Sequence, residues 1–511
     1  MKNYDVAVVG LGPVGCTAAI LLAEAGLDVV AFERDPEIYA LPRAVNLDGE
    51  IIRSFQRCGR GEVVQDLMQL VRPGDRAGFA NSKREWMFGV EVSAFGSNGW
   101  QPMSMFDQPE FENYLRHEAL DHLRVKTHIG EEVNGIHNSD DGVLVEYGSG
   151  KQIRARYAVA CDGANSPTRK VFEIGWQDLG YNHDWLVVDV KTKDGHTLGH
   201  DTMQVCDPDR ISTYVCTKDP YRRWEFKLNP GETANQMLDS EMIMSLIEPW
   251  TPAGTYEIRR AAVYQFHAAI ADKWRIDNIF IAGDAAHQTP PFLGQGMNTG
   301  MRDVINIAWK LPLVIDGLAG DGLLDTYYSE RSAHAHDLVE WAVSIGMLME
   351  HLADVELCQR EGRPPPKERA QLKSSGYGQG REQPPIREGA ILLDQVSDDG
   401  STGYLLSQPI VENEAKDRFR FDELLGSGFA IVTRNSELPE FSHEVCALID
   451  RLKIKLVSTA GLTPVRGHLD RLFEKSETAI IRPDRIVFGH TTQNLSPDSL
   501  VRQLAKKLHL N

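Results

Sequence analysis

The residues best suited to chemistry lie at positions 279–303. Ile279-Phe-Ile-Ala282 is a short apolar run that reads as a buried strand, Gly283 breaks it, and Asp284 follows. A carboxylate there sits at the carboxyl end of a strand, where open α/β sheets collect ligand contacts. Pro290, Pro291, Phe292, Gly294, Gln295 and Gly296 form a loop that lets backbone approach a ligand closely. From about Met297 and Asn298 onward, the spacing of Met301, Ile305, Ala308 and Trp309 predicts a helix. Its free N–H groups and positive dipole end face whatever the loop surrounds. That suits a group that becomes anionic in a reaction, such as the N1–C2=O edge of a reduced flavin. His287, on the same loop, is one of four candidate proton acceptors with Arg223, Glu225 and Tyr214, or equally a satisfied structural histidine.

A second constellation opens the chain. Gly10-Leu-Gly12-Pro13-Val14-Gly15 sits between a β-branched strand at 4–9 and a small-residue helix that ends near Gly26. A strand at 28–32 follows and ends in Glu33-Arg34. Within such a βαβ unit the glycines permit a tight turn and close pyrophosphate approach, and Glu33 can bind adenosine ribose hydroxyls. NAD fits this motif as well as FAD, but an NAD dehydrogenase has no need of the second loop at 283–298. A third stretch, Tyr157-Ala-Val-Ala-Cys-Asp162-Gly163-Ala-Asn-Ser166-Pro-Thr-Arg169, repeats strand, Asp-Gly and helix start. Arg43 and Gln108, the latter opening a helix with Pro109 in its first turn, could reach the middle of such a cofactor.

Residues 185–264 read mainly as strands, with a helix near 235–247, and could wall a substrate chamber. On the strand 222–228, alternation puts Trp224, Phe226 and Leu228 on one face and Arg223, Glu225 and Lys227 on the other. A charged face is most simply a solvated one. The functional reading makes Arg223 and Glu225 polar anchors for a phenol or carboxylate, with Tyr214, Trp224 and Phe292 beside the ring.

The elements that must position these groups form more than one domain, since 511 residues exceed a single ordinary core. Residues 1–183 and 265–358 compose an α/β, Rossmann-like unit, with short strands at 72–107 contributing to the substrate side. Residues 184–264 form an inserted antiparallel sheet. A β-meander is expected at 126–160, and Pro312 should kink or end the helix that starts near 297. Residues 359–389 are rich in Pro and Gly and read as a linker. Residues 390–511 have the element order of a thioredoxin-like domain lacking the dithiol.

Net charge −19 argues against nucleic acid, whose phosphates require a basic face. No run is long and apolar enough to span a bilayer, and no signal peptide is visible. The seven cysteines are scattered without C-x-x-C spacing, so neither zinc nor a redox dithiol is expected. A reduced cytoplasmic protein is the expectation. A homodimer is allowed, though nothing in the sequence specifies one.

The three motifs, in order and at their spacing, resemble the single-component FAD-dependent aromatic hydroxylases of the p-hydroxybenzoate hydroxylase fold group. The stretches Arg275-Ile-Asp-Asn-Ile-Phe-Ile-Ala-Gly-Asp, Gly300-Met-Arg-Asp and Leu323-Leu-Asp-Thr-Tyr are similar to the bacterial 3-(3-hydroxyphenyl)propionate hydroxylases. The resemblance implies FAD, reduction by NADH or NADPH, and O2 as co-substrate. A flavin C4a-hydroperoxide would then hydroxylate a phenolic ring, as in aromatic catabolism. By the same resemblance Glu33 binds ribose, Arg43 and Gln108 hold the middle of FAD, and Asp284 contacts the ribityl–pyrophosphate region. The backbone of Gly296, Met297 and Asn298 receives the flavin edge, Pro291 shapes the cavity above the ring, and Asp162 and Arg169 serve both nucleotides. Gln288-Thr289, Phe292-Leu293 and Met297 depart from the branch pattern, so the reaction class carries over better than the substrate. A heteroaromatic, resorcinol-type or polyketide phenol is the alternative, and an FAD-binding protein without turnover is the alternative of a different class.

Overall fold

The computed structural model describes residues 3–92, 95–193, 195–196, 198–366, 383–398 and 400–510. Of the Pro/Gly-rich stretch at 359–389, residues 367–382 lie outside the described residues.

The first sheet is built on Asn3–Val9, whose Val6, Ala7 and Val8 have no solvent exposure. Such a continuous apolar run is what a strand covered on both faces requires. Asn3–Val9 pairs in parallel with Lys151–Ala160 on one side and Val29–Glu33 on the other. Val29–Glu33 pairs with Val125–Ile129, and Lys151–Ala160 with Ile279–Ile281, all parallel. The meander expected at 126–160 is present through Val133–Ser139 and Gly142–Tyr147. Lys151–Ala160 is one strand whose first half pairs with the meander and whose length joins the parallel sheet.

The second sheet has eight strands, centred on the long antiparallel pair Trp176–Thr192 and Tyr256–Ala271. It therefore extends past 184–264 at both ends, because these two strands cross from one layer to the other. Tyr221–Lys227, Ser212–Cys216 and Thr202–Val205 continue it. Arg76–Ala80 and Trp86–Glu91 then extend it from the 72–107 segment. The helix expected at 235–247 is two, Ala234–Met237 and Ser240–Ile247. Asp239 stops the first and caps the second, its carboxylate accepting the N–H groups of Glu241 and Met242. Ile243 and Ile247 press onto Leu186, Val188, Trp224 and Phe226, closing that face of the sheet.

The Gly296–Ile315 helix continues through Pro312, against the expected break. Pro312 lies in the last turn, where a missing N–H costs one hydrogen bond and little backbone must follow. Gly322–Arg360 packs alongside it. The C-terminal unit is a four-stranded sheet ordered Lys455–Ser458, Ala430–Thr433, Thr478–Ile481, Val487–His490. The first two strands are parallel and the rest antiparallel. The helices His443–Arg451 and Pro497–Lys507 belong to the core on one side of it. All seven cysteines are unpaired.

Candidate functional site

The three motifs meet at one edge of the parallel sheet. Val9 pairs with both Phe32 and Ala160, and Ala160 pairs with Ile281. Gly10, Asp162-Gly163 and Gly283 therefore leave the sheet side by side. Gly10 has φ +90°, and a Cβ there would stand 2.6 Å from the Cys161 carbonyl oxygen. A Cβ on Gly15 would stand 1.8 Å from the Gly10 carbonyl oxygen. One on Gly300 would stand 2.8 Å from Val14 Cγ2 and 2.9 Å from Gly283 Cα, so the two helices that start at the site cross in direct contact. Gly12 differs: a Cβ there meets nothing within 4 Å, which leaves this backbone open to a ligand. Pro13 occupies the first turn of the Pro13–Glu24 helix, where its missing N–H is harmless.

Polar groups surround the opening. Glu33 Oε2 accepts the Leu11 N–H at 2.7 Å, which draws the carboxylate onto the glycine loop. Arg34 is exposed and pairs with Asp35 at the surface at 3.4 Å. Asp162 Oδ2 accepts the Thr168 N–H at 3.0 Å, while its Oδ1 is buried without a partner among the described residues. Arg169 donates to the carbonyls of Ala285 at 3.1 Å and Ala164 at 2.8 Å, clasping the second and third motifs together. Asp284 is open to solvent yet lies in a recess deep enough that desolvation raises its carboxyl above the ordinary range, opposed by His287 and Arg43. Gln108 Oε1 accepts the N–H groups of Arg43 and Ala44, each at 2.7 Å. Its role is thus to fix the 43–44 backbone.

At the start of the Gly296–Ile315 helix, Gly294 takes φ +62°, and a Cβ there would stand 1.8 Å from Asn46 Oδ1. Gln295 donates to Asp48 Oδ2 at 3.0 Å. Asn298 Oδ1 accepts the Asp48 N–H at 3.0 Å, and its Nδ2 donates to the Gly294 carbonyl at 2.9 Å. These side chains brace the loop and leave the first-turn backbone N–H groups without a side-chain cap. The helix has no side-chain cap and no acid in its first turn, so nothing internal neutralises that end.

Several expected roles change. His287 is 1% exposed, and its Nε2–H donates to Asp303 Oδ2 at 2.7 Å, away from the cleft. Asp303 also accepts the Gly283 N–H at 3.0 Å and Arg331 Nε–H at 3.0 Å. His287 therefore ties the loop to Asp303, and its Nδ1 is buried without a partner among the described residues. The solvated-face reading of Arg223 and Glu225 is overturned, since they are 4% and 5% exposed. Arg223 donates to Asp189 Oδ1 at 2.7 Å and to the carbonyls of Arg43 at 2.7 Å and Pro42 at 2.8 Å. Tyr214 and Trp224 belong to the core under Ser240–Ile247, on the opposite face from Arg223, so they line no chamber shared with it. Phe292 follows Pro291 in the 291–293 turn and packs on Tyr181, Trp185 and Phe266 with ring centroids 5.5, 5.2 and 6.3 Å away.

Sequence reasoning missed Arg116, whose Nη2 lies 3.4 Å from the Leu11 carbonyl oxygen and 4.0 Å from Glu33. The signal was available: Gln108, Glu112 and Arg116 recur every four residues and form one polar stripe on the Gln108–Asp121 helix. It also missed Asp189 and Gln204, which only strand pairing brings to the site.

Residues 3–342 match the family model of the FAD binding domain, and residues 403–507 that of the HcaD C-terminal domain. A 3-(3-hydroxy-phenyl)propionate/3-hydroxycinnamic acid hydroxylase of Klebsiella pneumoniae is 31% identical over 441 residues, covering 84% of this chain and 77% of the relative. A probable NADH-specific resorcinol 4-hydroxylase of Rhodococcus jostii is 30% identical over 504 residues, covering 96% and 92%. Among solved structures, aklavinone-11 hydroxylase with FAD and aklavinone superposes with a TM-score of 0.82 at 24% identity, over 99% of both chains. The unpartnered Asp162 Oδ1, the open Gly12 and the uncapped helix end all fit FAD.

Proposed function

The chain belongs to the FAD-binding-domain family of aromatic-ring hydroxylases, and from that premise we propose how its residues bind FAD and which ring they present to it. When bound, FAD would supply the redox chemistry that couples oxidation of NADH or NADPH to insertion of one atom of O2 into the ring. The observation that carries the reading is the convergence of Gly10, Asp162 and Gly283 at adjacent strand ends, with a helix N-terminus facing them. The open Gly12 would admit the pyrophosphate and Glu33 would hold the ribose. Asp284, Asp162 and the 43–44 backbone braced by Gln108 would line the middle of the cofactor. The N–H groups of Gly296, Met297 and Asn298 would stabilise negative charge at the flavin edge. Pro291 and Phe292 would shape the space above the ring and exclude water.

We assign residues 1–183 and 265–358 to FAD binding and 184–264 to the substrate wall. Residues 390–511 we read as thioredoxin-like, supported by the strand order, and as lacking the dithiol because they hold one cysteine, Cys446. The seven unpaired cysteines of the chain also favour a cytoplasmic setting. The propionate and resorcinol hydroxylases among the relatives share a phenolic ring, and a phenol is what we assign to this chain. Oxidation of NADH and NADPH by the yellow protein, with and without a panel of phenols, tests the reading. Stimulated oxidation with matching hydroxylated product supports it. Absence of product with every phenol would sink it.

A further inference from the structure

Resting on that reading, we propose that the substrate is a phenol carrying no carboxylate and that the Glu225 carboxylate takes its hydroxyl proton. The sheet face that carries Glu225 is bracketed by two loops of the cofactor site. Two residues away on the same strand, Arg223 donates to the carbonyls of Pro42 at 2.8 Å and Arg43 at 2.7 Å. On the other side Thr213, the cross-strand partner of Glu225, donates to Gln204 Oε1 at 2.6 Å. Gln204 Nε2 in turn donates to the Phe292 carbonyl at 3.5 Å. Glu225 thus lies between the 42–43 loop and the 291–293 turn that leads into the Gly296–Ile315 helix.

Charge pairing on this face decides the substrate class. Arg223 is committed to Asp189, at 2.7 and 3.2 Å, and to the two carbonyls. Arg260 donates to the Pro42 carbonyl and the Tyr264 hydroxyl, and pairs with Asp189 at 3.5 Å. The Glu225 carboxyl has Arg223 as its nearest cation, at 3.9 Å, beyond hydrogen-bond reach. A carboxylate tail on the substrate would meet Asp189 and Glu225 while Arg223 is already committed to four acceptors and Arg260 offers only its buried Nε, an unfavourable juxtaposition of like charge. A neutral phenol would instead donate to Glu225. In the transfer the phenol O–H bond breaks, a Glu225 oxygen gains the proton, and the electron pair stays on the phenolate oxygen. The charged groups facing Glu225 are Arg223 on its own strand, Asp189 on Trp176–Thr192 and Arg260 on Tyr256–Ala271. Burial outweighs Arg223 and raises the carboxyl to about 7, a suitable value for an acceptor at neutral pH.

The test assays the FAD-loaded protein with resorcinol and with 3-(3-hydroxyphenyl)propionate, quantifying hydroxylated product beside NADH oxidation, in wild type and Glu225→Gln. Resorcinol is expected to exceed the propionate by about tenfold or more in kcat/KM. Glu225→Gln should retain FAD, lower kcat by about a hundredfold, and flatten the rise of kcat with pH near 7. Dissociation constants from the flavin absorbance change in wild type, with its own pH profile, decide the matter even if the variant misfolds. Tighter binding and faster coupled hydroxylation of the propionate, or an unchanged pH profile in Glu225→Gln, overturns the proposal and leaves the hydroxylase reading standing. No product from any phenol overturns both.

Discussion

Arg482 and Glu330 meet as a two-pronged ion pair with neither side chain exposed, Nη1 and Nη2 donating to the two carboxylate oxygens at 2.9 and 2.8 Å. Glu330 belongs to the long Gly322–Arg360 helix and Arg482 to the C-terminal unit, so the pair joins the two. Lys310, on the Gly296–Ile315 helix, also reaches Glu330 at 3.0 Å. A second buried bridge, Arg53 Nη2 to Asp422 at 2.6 Å, ties the Gly49–Gln56 helix to the same unit. Arg482→Met leaves buried Glu330 with less than its full complement of charge and should destabilise the protein by about 3–5 kcal/mol. The double variant Arg482→Met/Glu330→Leu should lose less than the single one. Denaturant melts of the three proteins check this.

The same carboxylates set the acid limit. The guanidiniums of Arg482 and Arg53, with Lys310 and Arg485, hold Glu330 and Asp422 well below the usual carboxylate range despite burial. In the unfolded chain both groups titrate at about 4. Their contribution is therefore fully present above that pH and is lost as pH falls below it. Thermal melts from pH 7 to pH 3 should show Tm falling steeply only below about pH 4.5, with a shallower fall in the Arg482→Met/Glu330→Leu protein.

Gly15→Ala and Gly12→Ala should fail differently. A Cβ at Gly15 collides with the Gly10 carbonyl, whereas one at Gly12 meets only open space. Gly15→Ala should lose both fold stability and FAD. Gly12→Ala should keep its melting temperature within a few degrees in the FAD-free state and bind FAD at least about tenfold more weakly. Equal melting temperatures for the two FAD-free variants would contradict this geometry.

Asp284→Ala should purify colourless or nearly so. The Asp284 carboxylate lies in the recess beside Gly283 and makes no hydrogen bond among the described residues, so its removal costs the ligand rather than the fold. The ratio of flavin to protein absorbance, measured beside circular dichroism, separates the two effects.

Asp303→Ala should do the opposite. It strands Arg331 and His287 in the core and frees the Gly283 N–H. A loss of about 3–5 kcal/mol is expected. By contrast, His287→Gln should leave the pH dependence of turnover unchanged, since His287 faces Asp303. A shift of that profile would return His287 to the chemistry.

Local pattern determined much of this protein. The glycine loop, Asp162-Gly163 and Gly283-Asp284 each break an apolar strand at a place where backbone geometry needs glycine, a signal contained within about ten residues. The helix at 296–315 is likewise written in its own spacing, and only the weight given to Pro312 misplaced its end. What the sequence left open depends on contacts between distant segments. Alternation placed Arg223 and Trp224 on opposite faces, but could not say that both faces are covered. One is closed by Ser240–Ile247 and the other is bridged at Arg223 by the 42–43 loop, nearly two hundred residues upstream of the helix. The burial of His287 against Asp303, and of Glu225 beside Arg223, also exists only after strands and helices from separate stretches have packed. A side chain's periodicity is set by its own strand or helix, whereas its partner and its dielectric surroundings are set by whatever packs on top.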